Sequence, residues 1–141
     1  MSAIIDKLTI SKYTSYFHDG SLIDIQYGES TSEIAVSMES AELDPEDLND
    51  PISLSKENRI KGKLHLNGIT KIEVDDEILS APLKMHHDDA EIFHFRIIDT
   101  GLILEIGWQN FSPKTQDFDY SVIKIDVKTV YWENIPDLPF P

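Results

Sequence analysis

One group of potential metal ligands lies at His86, His87, Asp88 and Asp89. Imidazole and carboxylate groups suit zinc, iron or manganese. Adjacent residues of a strand point to opposite faces, so the four side chains can converge on one ion only if they lie in a loop. We interpret the group as an exposed turn and expect no cofactor. The alternative is a metal-binding protein or a metal-dependent enzyme that uses this region.

A second group with possible chemistry is His18, Asp19 and Gly20. Some metal-dependent phosphohydrolases also carry a His-Asp pair, but they hold it in a helical bundle with further ligands on other helices. This chain has neither the helices nor the spacing. We therefore predict a structural motif, in which Asp19 and Gly20 turn the chain into a strand that begins at Ser21. His18 is expected to satisfy a backbone group.

Other familiar routes to catalysis have little support in the residues. The chain has no cysteine, which excludes disulfides, cysteine-ligated zinc and thiol catalysis. It contains no Gly-x-Ser-x-Gly elbow, no phosphate-binding glycine loop and no His-Glu-x-x-His helix. Among 26 acidic residues some pair always looks suitable for glycoside hydrolysis, so such pairs carry no information. We predict no catalytic residue and favour a protein that is not an enzyme.

The most distinctive property of the chain is its charge, since 26 acidic and 12 basic residues give a net charge of −14. Such a charge repels phosphate backbones and anionic lipids, so we expect neither nucleic acid nor a membrane as a partner. A basic protein is the electrostatically complementary partner. The simpler alternative is that the charge keeps the protein soluble.

The acidity is concentrated in residues 33–50, which contain seven acids and no base. We predict that this stretch binds a protein partner through Glu33, Glu39, Glu42, Asp44, Glu46, Asp47 and Asp50. Residues 56–71 instead contain five bases and one acid. Their lysines are expected on the solvent face of a strand, where they pair with acids across the sheet.

Alternation of apolar and polar residues, which is typical of half-buried strands, dominates the chain. The predicted hairpins join residues 23–27 to 34–38, residues 60–66 to 69–74, and residues 91–98 to 102–108. A long last strand covers residues 120–132 and has room for a bulge. Asn67-Gly68 is the strongest local turn signal, because this pair tolerates the positive φ angles of a type I′ turn.

Side-chain alternation within these strands also predicts which residues share a face. Phe93, Phe95 and Ile97 are expected on one face of their strand, and His94 on the opposite face with Ile92 and Arg96. Trp108 and Trp132 come near the ends of two strands, where they either close the core or line a partner-facing patch.

Helix is scarce in the pattern. Residues 44–48 predict a helical turn, with an N-cap aspartate, a proline at the first position and acids in the first turn. Residues 4–16 fit either a strand or a short helix. The predicted fold is mainly β: an antiparallel sandwich, barrel or strongly bent sheet of about eight strands built from hairpins, with at most one or two short helices. A length of 141 residues fits a single domain, 1–141.

The compartment is predicted from what the chain lacks. It does not open with a basic region followed by an unbroken apolar run. No stretch reaches the about 18 apolar residues that a membrane span requires. Because the absence of cysteine fits a reducing environment, we expect a cytoplasmic protein.

The start of the chain resembles a loose group of small bacterial proteins in which an aromatic-His-Asp-Gly/Ser segment leads into the first paired strands. Here that segment is Tyr16-Phe17-His18-Asp19-Gly20-Ser21-Leu22-Ile23. The later stretch over residues 64–72 and the closing Tyr131-Trp132-Glu133 fit the same style. Some members of the group are similar to immunity proteins of bacterial toxin systems. The resemblance implies a bacterial origin and a cytosolic location, and it transfers no catalytic residue.

The residues leave three functional hypotheses open. The first is a non-enzymatic protein-binding module, in its specific form an immunity-type inhibitor of a basic toxin. The second is a small metal-binding protein or metal-dependent enzyme that uses the His86 and His87 region. The third is a subunit that completes a larger assembly through an exposed sheet edge. The sequence does not determine the oligomeric state.

Overall fold

Strands make up most of this chain, and within the described residues they form one antiparallel sheet of eight strands. The computed structural model describes residues 3–30, 32–48, 52–85, 89–109 and 119–139. The strands are β1 (Ala3–Asp6), β2 (Ser21–Tyr27), β3 (Glu33–Glu39), β4 (Lys61–Val74), β5 (Glu77–Ile78), β6 (Asp89–Ile98), β7 (Gly101–Gln109) and β8 (Asp119–Asn134). A short helix, α1 (Lys7–Ile10), runs into a 3₁₀ segment over Ser11–Phe17, and a second 3₁₀ turn covers Pro45–Asp47. The prediction of a mainly β fold with little helix is confirmed.

The sheet closes on itself because β8 pairs along both of its edges. Residues 119–126 of β8 pair with β7, and residues 123–134 pair with β4. The order β8-β7-β6-β2-β3-β4 therefore returns to β8 as a closed six-stranded barrel. β1 extends beside β8 and β5 beside β4. Of the three predicted architectures, the barrel is the one that the protein adopts.

Apolar side chains fill the interior of the barrel. Along β8, Ile123, Ile125 and Val127 are buried, while Lys124 and Asp126 between them are more exposed, as the alternation predicted. The interior leaves an apolar space of about 10 Å³, no larger than one water molecule occupies. The barrel is a packed core rather than a channel.

The N-terminal segment contributes a further layer of this core. After α1, the 3₁₀ segment buries Tyr13 and Phe17 and packs on β6. The ring of Phe17 is fully buried and meets two other rings edge-on, with centroid distances of 5.4 Å to Phe95 and 5.6 Å to Trp132. Edge-to-face pairs of this kind add to the free energy gained from burial alone.

Several predicted elements are confirmed. β2 pairs with β3, and β6 pairs with β7 through a tight turn at Asp99 and Thr100. Asp44 caps the short 3₁₀ turn, where its Oδ1 accepts a hydrogen bond from the amide of Glu46 at 3.0 Å. The ambiguous residues 4–16 contain both predicted states, since β1 is followed directly by α1.

The predicted turn at Asn67-Gly68 is wrong. β4 runs through both residues as one strand, with Asn67 still paired to Thr129 of β8. Gly68 has the expected positive φ of 79°, but the strand continues through it, next to a register shift between Ile69 and Lys71. A bulge and a type I′ turn both use positive φ, so the local signal does not distinguish them.

The reversal occurs further along the chain, at Asp75 and Asp76. Both residues have positive φ, 53° and 68°, and they join β4 to β5 with Val74 opposite Glu77. Positive φ at both central residues is the geometry of a type I′ turn, and aspartate tolerates this region better than most residues.

The predicted faces of β6 are also wrong in part. The pairing with β7 shifts register between Ile92 and His94, so Phe93 is an extra residue in the strand. Ile92 and Phe95 are therefore both buried, while Phe93 is half-buried. His94 shares the exposed face with Arg96, as predicted, but not with Ile92.

The role of the N-terminal segment in the core is testable with Phe17→Ala. We expect a loss of about 3–5 kcal/mol in the free energy of unfolding, because a fully buried aromatic ring leaves a cavity. Leu8→Ala is the matched control, since Leu8 lies in the same segment with 76% of its surface exposed. The control should stay within about 0.5 kcal/mol of the wild type in urea denaturation. Equal effects of the two variants would contradict this packing.

Candidate functional site

Residues 40–48, here called the acidic segment, leave the barrel after β3, and three of the acids whose side chains the structure describes are exposed. Glu42, Asp44 and Glu46 point to solvent, and Leu43 and Leu48 pack against the core. The segment thus has an apolar inner side and an anionic outer side.

Hydrogen bonds tie the acidic segment to the connection that leads into β4. The hydroxyl of Ser40 accepts from the amide of Ile60 at 2.8 Å, and the carbonyl of Ser40 accepts from Nη1 of Arg59 at 2.9 Å. The amide of Leu43 donates to the carbonyl of Asn58 at 2.9 Å. These bonds hold residues 40–43, and the packing of Leu48 against the core holds the other end of the segment.

The remaining predicted partner-binding acids lie elsewhere. Glu39 is almost buried and faces the equally buried Lys61, with Nζ and Oε2 4.0 Å apart. Glu33 is half-buried at the start of β3. The side chain of Asp47 and the whole of Asp50 lie outside the described residues. The structure therefore groups the three exposed acids of the acidic segment and separates Glu39 from them.

The prediction that the lysines of residues 56–71 lie on the solvent face of a strand is wrong for Lys61, which is buried. The predicted pairing with acids is clearest at Lys71. Its Nζ lies 2.9 Å from Oε1 of Glu73 and 3.7 Å from Oδ2 of Asp126 on β8. The hydrogen bond to Glu73, together with the charges of Glu73 and Asp126, raises the pKa of Lys71. The same hydrogen bond lowers the pKa of Glu73.

His18, Asp19 and Gly20 form the corner that leads into β2. Nδ1 of His18 lies 2.6 Å from the carbonyl oxygen of Phe93. Asp19 adopts a positive φ of 67° and donates its amide to the carbonyl of Ile92 at 2.9 Å. A Cβ at Gly20 would collide with the backbone carbonyl oxygen of Glu39. Each of the three residues has a backbone role at this corner.

Of the four predicted metal ligands, the structure describes only Asp89. His86, His87 and Asp88 lie outside the described residues. Asp89 begins β6 with a half-buried side chain, and its backbone is opposite Gln109 of β7. Within the described ranges, no group of three or more His, Asp or Glu side chains is arranged to hold a metal ion.

The two tryptophans belong to the core. Trp132 is fully buried and Trp108 is 4% exposed. The indole N–H of Trp108 donates to Oγ of Ser121 at 3.0 Å. The indole N–H of Trp132 donates to Oδ1 of Asn134 at 3.1 Å. The interpretation that they close the core therefore agrees with the structure, and a partner-facing patch at these rings does not.

One group of side chains around His65 was not predicted from the sequence. His65 of β4 stacks on Tyr131 of β8, with 4.7 Å between ring centroids, and its Nε2 lies 2.9 Å from Oε1 of Glu133. The three residues come together because β4 and β8 are paired, with His65 directly opposite Tyr131. That pairing is remote in sequence, and no local pattern signals it.

A cleft of about 360 Å³ was also missed. It lies between the 3₁₀ segment and β6, and we call it the Arg96 cleft. Its described lining residues are Thr14, Ser15, His18, His94, Phe95 and Arg96. The only sequence signal was the alternation that places His94 and Arg96 on one face of β6, because the other wall comes from a distant part of the chain.

No family model matches the chain, and no curated protein or solved structure shows significant similarity to it. Among the described residues, no helix combines the length and apolar character needed to cross a membrane.

The backbone role of the corner before β2 is testable with Gly20→Ala. We expect a loss of about 1–3 kcal/mol in the free energy of unfolding, because the new Cβ meets backbone carbonyl oxygens of Glu39 and Phe17 that cannot move alone. Gly28→Ala is the control, since its Cβ meets the side chain of Glu33. If both variants unfold at the same urea concentration, the close approach at Gly20 does not constrain the fold.

The Lys71 ion pair predicts a defined pH dependence for Glu73→Gln. A carboxylate whose pKa is lowered by folding stabilises the protein above its ordinary pKa, and this contribution is lost as pH falls through the folded value. The wild type should therefore exceed Glu73→Gln in stability at about pH 7, and the difference should shrink below the ordinary value of 4.5. Because the pair is partly exposed to solvent, the difference should be small and weaker in high salt.

The measurement is urea denaturation of both proteins at several pH values, with Glu77→Gln as an exposed control acid. A difference between wild type and Glu73→Gln that is as large at about pH 3 as at about pH 7 would show that the variant acts through something other than the charge.

Proposed function

We propose that this protein is a non-enzymatic binding module whose acidic segment occupies a basic surface on a protein partner. Its specific form is an immunity-type inhibitor of a basic bacterial toxin. The resemblance of residues 16–23 to proteins similar to immunity proteins supports this form. The compartment in the proposal is the cytoplasm, because a chain without cysteine fits a reducing environment.

The observation that carries the proposal is the fixed, outward presentation of Glu42, Asp44 and Glu46. Their side chains are exposed, while the backbone that bears them is bonded at Ser40 and Leu43 to the connection that leads into β4. A segment that is already held in one path loses less conformational entropy on binding than a mobile loop does. The carboxylates are thus available and their backbone is preorganised.

Long-range electrostatics support the same proposal. The net charge of −14 gives a field that attracts a basic partner and raises its association rate. The acidic segment contains no base that would neutralise its three exposed acids internally. Binding through this surface should therefore weaken as salt screens the charges.

The test uses the triple variant Glu42→Gln, Asp44→Asn and Glu46→Gln. Asparagine keeps the oxygen with which Asp44 caps the amide of Glu46, so the fold of the segment is preserved. Tagged wild-type protein should retain a basic protein from cells of its source at about 50 mM salt. The triple variant should retain about tenfold less of it, because rim charges act mainly on association. Quantitative mass spectrometry of the retained proteins is the measurement.

The matched control replaces three exposed acids outside the segment, in the variant Glu29→Gln, Asp76→Asn and Glu77→Gln. It changes the net charge by the same amount and should retain the partner. If both variants lose the partner equally, net charge alone explains the binding, and a defined binding surface is contradicted. If the retained protein arrests growth when expressed alone, co-expressed wild type should restore growth and the acidic-segment variant should not.

A further inference from the structure

The Arg96 cleft has an unusual composition for this molecule. Of the chain's charged residues, 26 are acidic and 12 basic, yet none of the described residues that line the cleft is acidic. The described lining residues instead include an arginine, two histidines, a serine and a threonine, around a surface that is largely apolar. In a strongly anionic protein, a cleft with only neutral and cationic lining groups is suited to an anionic ligand.

The bulge at Phe93 determines how β6 contributes to the cleft. It places His94 and Arg96 on the exposed face, on either side of the buried Phe95. The guanidinium of arginine presents several N–H donors in a plane and binds two oxygens of a phosphate at once. Arg96 is the group expected to bear most of the charge of a ligand.

His18 on the opposite wall has a fixed ring. A carbonyl oxygen only accepts hydrogen bonds, so Nδ1 of His18 must donate to Phe93 at 2.6 Å. The ring cannot rotate without losing this bond, and Nε2 is left as its second polar atom. Nε2 lies 3.6 Å from Oδ1 of Asp19, which is too long for a good hydrogen bond.

We infer that the Arg96 cleft binds the phosphoryl group of a small phosphorylated molecule. Arg96 binds two phosphoryl oxygens, and His94 and the hydroxyl of Ser15 donate further hydrogen bonds. Nε2 of His18 donates to the group when the ring is doubly protonated, because the proton on Nδ1 is already donated to Phe93. A volume of about 360 Å³ exceeds what a phosphate group alone fills and lies in the usual range of small-molecule sites. This inference is independent of the partner proposed for the acidic segment.

Two nearby carboxylates oppose an anion and therefore sharpen the test. Asp19 lies beside His18, as described above. Glu105 of β7 is opposite His94, and its Oε1 accepts a hydrogen bond from the hydroxyl of Tyr120 at 3.1 Å. Removal of the charge of Asp19 should strengthen anion binding, whereas a purely structural role of this corner predicts no gain.

The experiment is a titration of the full chain with inorganic phosphate and, separately, with phenyl phosphate. Binding is measured by NMR and by calorimetry. Saturable shifts should appear at the imidazole signals of His18 and His94. Arg96→Gln should weaken binding about tenfold or more, because charge-assisted hydrogen bonds are the strong ones. Asp19→Asn should tighten it about threefold, since asparagine tolerates the positive φ of 67° and removes one charge.

Lys12→Gln is the control, because Lys12 is exposed on the same 3₁₀ segment but does not line the cleft. Tighter binding of phenyl phosphate than of phosphate supports a phosphorylated small molecule, and equal binding supports phosphate itself at the same site. Absence of saturable shifts, or equal weakening by Lys12→Gln and Arg96→Gln, would overturn the inference. His94→Gln repeats the test if Arg96→Gln unfolds at a lower temperature.

Discussion

The pairing of β8 with two different strands is the constraint on which the rest of the structure depends. Without the contact to β4, the sheet would be an open one with two long edges, which invite pairing with other chains. With it, six strands close and their inward side chains form one core. The segments that carry the candidate sites are connections and outward faces supported by this closed barrel.

Sequence patterns predicted what depends on neighbouring residues. Alternation located most of the strands, and the β6–β7 hairpin follows from two apolar runs separated by a short polar turn. The same reasoning failed at Gly68, where the positive φ was correct but its use was not. Whether the chain reverses or continues at such a residue depends here on β8, which keeps pairing with β4 on both sides of Gly68. That contact is remote in sequence and leaves no local signature.

The candidate sites also differ in whether they depend on neighbouring residues or on contacts remote in sequence. The acidic segment could be predicted because its charges are adjacent in the chain. The exclusion of Glu39 could not, because it follows from a buried contact with Lys61 on the next strand. The Arg96 cleft needs Thr14 and His18 from one end of the chain and Arg96 from a bulged strand. Alternation placed His94 and Arg96 on one face of β6, but no local pattern shows that Thr14, Ser15 and His18 form the opposite wall.

The 3₁₀ segment over Ser11–Phe17 connects the core with both candidate surfaces. Phe17 fixes it from within the core, its outer residues Thr14 and Ser15 form one wall of the Arg96 cleft, and the carbonyl of Tyr16 accepts a hydrogen bond from Ala41 of the acidic segment at 3.0 Å. A segment held on three sides cannot shift toward one neighbour without straining the others. The packing of Phe17 therefore sets the geometry of both surfaces, although its fully buried ring lies at neither of them.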